Sequence, residues 1–434
     1  MKFIKEPINQ FIRLETSASI VLFLATVLAL VLANSPLNET FRDFWQNPLT
    51  VGTPGFMLSK PLVLWINDGL MAIFFFLIGL ELKRELLTGE LSSFKKASLP
   101  VIAAIGGMVV PALLFTFFNH NKPGADGWGI PMAADIAFSL GILKLLGKRV
   151  PAGLKIFLTA FAIVDDLGAV LVIALFYSDD ILWKYILYAL LIVLFLLFTT
   201  HHNRYSKYVY FVCGVAVWFL FLKSGIHPTV AGVLMALTIP LAREEESLPF
   251  YNGTKEALDD FLKECKPGQT KAILTENQLG SLGAIETLTE KATPPLQYLE
   301  HKLHGWVSYL IMPVFALANA GVAISLSGNL DFNLAITLAI SMLVGNIVGI
   351  TTFSLLAIKL KIAELPEQVT PAQIVGVSFL GGLGFTMALF ISNLAYTDSV
   401  LADSSKAGIL LGSFFAGLIG FFVLQWILRN KKES

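Results

Sequence analysis

The stretch Ala162-Ile163-Val164-Asp165-Asp166-Leu167-Gly168-Ala169 decides the fold class. It lies inside an apolar run from about Ile156 to Phe176, long enough to cross a bilayer as one helix. An ionised carboxylate at the centre of such a helix costs at least roughly 2.5 to 3.5 kcal/mol. Two adjacent aspartates persist there only if they face protein, water or an ion. Proton handling or cation coordination is the reading that follows.

Working outward, apolar runs of similar length recur along all 434 residues, and 55% of the chain is hydrophobic. The chain is expected to be an all-α polytopic membrane protein with about twelve transmembrane helices. A barrel is disfavoured, because its strands would alternate polar and apolar residues. The formal net charge is +0. No basic run or basic–aromatic pattern points to nucleic acid. Cys213 and Cys265 fall in a predicted helix and a hydrophilic loop, so neither a disulfide nor a metal site is expected. No phosphate-binding glycine loop or nucleophile motif is present, which argues against an enzyme, a bound cofactor or ATP-driven transport.

The spans are placed from hydropathy. Helix 1 covers about Ala18–Ala33, behind Lys2, Lys5 and Arg13. It resembles a signal sequence in outline, but it is long for one and has no small-residue cleavage site. Alternating residues around Gly52-Thr53-Pro54-Gly55 suggest an external hairpin at about 44–60, with an ordinary loop as the alternative. Helices 2, 3 and 4 are expected near Pro61–Leu87, Leu99–Phe118 and Trp128–Leu146. Helix 5 carries the aspartates, and helices 6 to 8 fit Ile181–Thr199, Tyr208–Leu222 and His227–Leu241. Residues 1–241 thus form an N-terminal membrane part. Residues 242–304 form a hydrophilic loop with amphipathic pieces such as Lys255–Cys265. Residues 305–434 form a C-terminal membrane part, with helices 9 to 12 near Trp306–Ile324, Asn333–Ile358, Ile374–Leu394 and Ile409–Leu428. With both termini and the long loop inside, the short inside segments hold about three times as many Lys and Arg as the outside ones, as the positive-inside rule requires.

Helix 4 is interrupted by Gly129 and Pro131 and then carries Asp135. Helix 11 is interrupted by Gly381-Gly382-Leu383-Gly384. Broken helices in two halves of a chain point to a transporter site at a repeat interface, and Asp135 is placed to neutralise exposed helix N-termini. The alternative is that Gly and Pro only kink these helices. Asp165 and Asp166 are neighbours and so point about 100 degrees apart. One can face an ion while the other faces a neighbouring helix. Competition between H⁺ and Na⁺ for one carboxylate, with alternating access, is enough to give exchange.

Eight stretches carry a resemblance that covers nearly the whole chain outside the long loop. They are 65–68 (WIND), 79–86 (GLELKREL), 134–138 (ADIAF), 164–169 (VDDLGA), 223–227 (KSGIH), 299–301 (LEH), 315–321 (FALANAG) and 384–387 (GFTM). By these the chain resembles the NhaA-type sodium/proton antiporters. The resemblance implies inverted repeats whose discontinuous helices 4 and 11 cross at mid-membrane. It implies a secondary antiporter of a bacterial inner membrane that expels Na⁺ or Li⁺ in exchange for H⁺ under pH control. Na⁺, Li⁺ and H⁺ are its substrates. Asp166 is implied as the main cation and proton ligand, Asp165 as a second proton-linked group and ligand of the transported Na⁺, and Asp135 as charge compensator. Glu81, Arg84, Glu85, Glu300, His301 and His304 match a pH-responsive cluster, and His227 matches another pH-linked position. The hairpin near Trp45–Met57 is implied as a homodimer contact.

Two positions depart from the family pattern. Asn346 stands where a lysine usually pairs with the first aspartate, and Ala134 stands where a threonine hydroxyl is usual. Without the lysine, Asp165 has no counter-charge. If Asp165 keeps its proton throughout, one Na⁺ exchanges for one H⁺. If both aspartates release protons, two H⁺ exchange for one Na⁺. The rival readings are a related cation/proton carrier with altered coupling or substrate, and a transport-poor pH or ion sensor acting through the long loop.

Overall fold

The computed structural model describes residues 2–53, 56–178, 180–202, 205–241, 247–263, 273–323 and 330–430. Cys265, the Pro54-Gly55 turn, the Ile324 end of helix 9 and parts of the long loop lie outside the described residues.

The chain is helical almost throughout. Among the described residues, eight helices are long and apolar enough to cross a membrane, or ten if each of two bent pairs is one span. The bent pairs are Ser17–Ala33 with Asn38–Gln46, turned by 115°, and Pro371–Gly381 with Phe385–Ala395, turned by 43°. The two other expected spans are also helical. The eighth is only Thr229–Thr238. The ninth runs from Pro295–Trp306 through Val307–Ile311 to Met312–Asn319. It starts before the apolar run because Pro295 at the first helical positions sets its beginning, while hydropathy marks only the lipid-facing part. Glu300, His301 and His304 therefore sit on this helix and not in a loop.

The segment between the first two spans is a helix followed by a hairpin. Trp45 belongs to the helix Asn38–Gln46. Strand β1 (Pro48–Thr53) then pairs antiparallel with strand β2 (Phe56–Pro61), with Thr50 opposite Ser59. Two amphipathic helices, Ser247–Lys263 and Glu276–Ala292, pack on each other in the long loop.

Both broken helices are real breaks. The first is a 3-10 turn at Ala125–Met132, an extended link, and the helix Ile136–Leu145. The second is Pro371–Gly381 and Phe385–Ala395. Thr370 caps its start, with Gln373 completing a capping box. In each half, the helices before and after the broken one pack together. Phe94–Phe118 lies on Ala152–Phe176, and Phe332–Lys359 lies on Ser399–Asn430. This is the arrangement expected of two three-helix repeats.

The two halves meet most closely where Phe94–Phe118 crosses Phe332–Lys359. A Cβ on Gly106 would lie 2.4 Å from the Gly349 carbonyl oxygen, and one on Gly349 would lie 2.1 Å from that of Gly106. Backbones in membranes approach this closely only through small residues. Gly349→Ala is expected to separate the helices, destabilising the protein by about 1–3 kcal/mol. It should lower the thermal midpoint of the detergent-purified protein. Gly280→Ala, where a Cβ meets nothing within 4 Å, should not.

Candidate cation and proton site

The breaks of the two discontinuous helices touch. The Asp135 backbone N–H donates to the Leu383 carbonyl. The Asp135 side chain caps the helix Ile136–Leu145, accepting from Ala137 N at 3.0 Å and Phe138 N at 3.2 Å through Oδ1. Its Oδ2 accepts from Thr386 N at 3.1 Å and from the Thr386 hydroxyl, across on the second broken helix. One carboxylate thus serves the N-terminal turns of two helices, whose dipoles both favour an anion there. The carbonyl ends are met in turn. Ser139 Oγ donates to Leu380 O at 2.9 Å, and Asn346 Nδ2 donates to Pro131 O at 3.1 Å. A Cβ at Gly384 would sit 2.4 Å from the Ala133 carbonyl oxygen, so glycine is what lets the breaks approach.

Asp165 and Asp166 lie beside this crossing and are both buried. Asp165 Oδ2 accepts from the Ala134 backbone N–H at 2.8 Å. Its other oxygen has no hydrogen-bond partner among the described residues. Asp166 points elsewhere, as neighbouring residues on one helix must. It lines a cavity of about 80 Å³ with Glu81, Asp135, His304 and Thr386. This space holds several waters, or an ion with part of its shell. The electrostatic neighbours of Asp166 are three more carboxylates, Asp165, Asp135 and Glu81.

Asn346 is buried but does not face Asp165 as a counter-charge would. Both of its amide hydrogens go to backbone carbonyls, Pro131 O and Met342 O, the latter at 2.9 Å. Ala134 contributes only its backbone N–H. With neither a lysine ammonium nor a threonine hydroxyl, Asp165 holds one backbone donor and no cation among the described residues.

The charged cluster assembles at one end of the cavity. Arg84 reaches Glu300 through Nε, at 3.1 and 3.0 Å to its two carboxylate oxygens, and Glu85 Oε1 through Nη1 at 2.7 Å. Glu85 Oε2 also accepts from Glu90 N at 2.8 Å. Glu81 and His304 face the cavity, while His301 is exposed. Burial pushes the Glu300 carboxyl up, and Arg84 opposes this. The charged neighbours of His304 are Lys144 and His301.

His227 is not part of this cluster. Its Nε2 lies 3.4 Å from Asp68 Oδ1, and Asp68 Oδ2 takes the Lys60 ammonium of strand β2 at 2.6 Å. The His227 ring also stands edge-on against Phe390 of the second broken helix. Neither hydropathy nor spacing marks this link between hairpin, helix 2 and helix 8, nor the amide network joining Asn67, Asn319 and Asn393. The residues themselves are visible, since Asp68 and three asparagines interrupt apolar runs.

The sequence profile of the family described as Na+/H+ antiporter 1 matches residues 9–424. The chain is 46% identical over 432 residues to the Na(+)/H(+) antiporter NhaA of Oleidesulfovibrio alaskensis, covering 99% of this chain and 95% of that protein. It is 45% identical to the protein of that name from Sulfurimonas denitrificans, over 98% of this chain and 97% of the relative. With that from Bacteroides fragilis the identity is 42%, over 98% of each. Full-length similarity at this level, together with a crossing of two broken helices beside a buried aspartate pair, makes this chain a multi-pass membrane protein of the Na+/H+ antiporter 1 family.

Proposed function

We infer that this protein is a secondary antiporter that expels Na⁺ or Li⁺ in exchange for entering H⁺, in a bacterial inner membrane with both termini cytoplasmic. The observation that carries this is Asp166, which lines a cavity with other carboxylates and has no lysine or arginine beside it among the described residues. Its charge is met by a proton or by a cation from water, and the two compete for one site. The names of the relatives, Na(+)/H(+) antiporters, agree with this exchange. The twelve-span count and the homodimer contact through the hairpin belong to the same proposal.

Each step uses groups of the chain. A cation coming through the cavity past Glu81 and His304 reaches Asp166, and the proton leaves. Asp135 meets the free N–H groups at both breaks, so the crossing need not take its own counter-ion from the cargo. A shift of the broken helices then opens the site to the other side. There the cation leaves and a proton returns.

Asp165 has no counter-charge to replace the missing lysine, and this favours one Na⁺ for one H⁺ with Asp165 protonated throughout. The Arg84–Glu300 contact supports pH control, because a proton taken up by that carboxylate changes the charge beside the cavity and weakens its hold on the guanidinium.

Three outcomes check this reading. In everted vesicles from an antiporter-deficient host, Na⁺ or Li⁺ should dissipate the proton gradient, and Asp166→Asn should abolish the response. If wild type gives no response between pH 6.5 and 9 while present and folded, the reading fails. In proteoliposomes a Na⁺ jump should drive proton flux without sustained current, and Asn346→Lys should make the same jump electrogenic. A sustained wild-type current would refute the one-for-one ratio. Removing the positive charge with Arg84→Gln raises the Glu300 pKa further, so that carboxyl loses its proton only at higher pH. The half-activation point should move alkaline by about one unit or more. An unmoved or acid-shifted profile would remove Glu300 from the control.

A further inference from the structure

The loop helix Ser247–Lys263 exposes more apolar surface than its partner helix covers. Against that partner it buries Ala257, and Gly253 faces Leu288. Beyond this contact Leu248, Tyr251, Leu258 and Leu262 are 70%, 60%, 48% and 60% exposed. At about 100 degrees per residue these four occupy one arc roughly 80 degrees wide, with Lys255 among them. The acids Glu256 and Asp260 lie on the remaining arc, and Asp259 stands at the edge of the apolar one, in the same hollow as Tyr251, Leu258 and Leu262.

Where this helix sits narrows what can cover that arc. Its partner, Glu276–Ala292, is tied to the membrane helices near its end. Glu290 Oε2 lies 3.4 Å from the ammonium of Lys207, the first residue of the membrane helix Lys207–Ser224. Glu290 Oε1 accepts from the Tyr298 hydroxyl at 2.9 Å, on the helix that carries Glu300. The pair of helices is therefore held at the level where membrane spans begin, on the side of the Arg84 cluster. Leucine and tyrosine on one arc, a lysine among them able to snorkel, and acids only at its edge or beyond it form the charge pattern of a helix lying in a bilayer interface.

We propose that Ser247–Lys263 lies on the membrane surface, with Tyr251, Leu258 and Leu262 in the boundary between headgroups and acyl chains. Its two lysines against three acids give no net attraction to anionic lipid, so the apolar arc is what holds it, and zwitterionic lipid suffices. The proposal needs only that the protein spans a membrane. It does not depend on which ion is carried.

The test uses full-length protein with Cys213→Ser and Cys265→Ser, reconstituted in phosphatidylcholine vesicles. Spin labels are placed on Leu258→Cys and, separately, on Asp260→Cys. Collision with oxygen, which concentrates in lipid, is compared with collision with a water-soluble nickel chelate. The oxygen-to-nickel ratio at 258 should exceed that at 260 by about tenfold. Equal ratios would show a helix in water and overturn the proposal. A 258 label shielded from both reagents would show a protein surface there, from a second copy or another chain, and would overturn it too. The label at 260 reports on folding in the same preparation, since it should stay open to nickel.

Discussion

Breaking two helices inside a membrane is the constraint on which the rest of this structure depends. Each break frees backbone N–H and C=O groups where lipid offers no partners. The chain meets this by bringing the breaks together. Asp135 accepts from both new helix N-termini, while Ser139 and Asn346 donate to carbonyls on the other sides. The exchange is reciprocal, so neither broken helix is stable in this form without the other. The glycines at the Gly106–Gly349 crossing and at Gly384 follow from the same need, because a crossing this close leaves no room for side chains.

That solution shapes the site beside it. With the helix ends satisfied largely by Asp135, Ser139 and Asn346, the aspartates next to them are left mostly free of helix-end donors. Asp165 is used in part, since one oxygen accepts from Ala134 N. Asp166 is left facing the cavity. Asn346 links these two tasks. Its amide hydrogens complete the backbone of the first break, and in doing so they are not offered to Asp165. A lysine there would bring a charge. The asparagine brings two neutral donors directed at carbonyls, which makes it a structural part of the break.

Charge is distributed unevenly between the two ends of the protein. Arg84, Glu85 and Glu300 share direct ion pairs at one end of the cavity, with Glu81 and His304 in its wall. At the other group, Asp68 joins Lys60 of the hairpin to His227, and His227 packs on Phe390. Three π-helical turns occur among the described residues, at Ile66–Leu70, Val307–Ile311 and Ser341–Gly345. The first carries Asn67 and Asp68, and the last runs directly into Asn346. Such turns recur at functional positions in helices.

The sequence by itself determined the membrane class, the aspartate pair in its span, the two interrupted helices and the family. These are local properties, carried by runs of apolar residues, by Gly and Pro within them, and by acids where none should be tolerated. It also marked the amphipathic loop helix, through its helical spacing. Only the tertiary structure decided which groups satisfy which. It turned Asn346 to Pro131, 215 residues earlier, and it set His227 beside Asp68, apart from the Arg84 cluster. It also placed Glu300 and His304 on a helix that begins before hydropathy reveals it. The physical reason is that an unsatisfied backbone group accepts any suitable donor within reach. Reach is set by how distant helices pack, and neither periodicity nor composition records that.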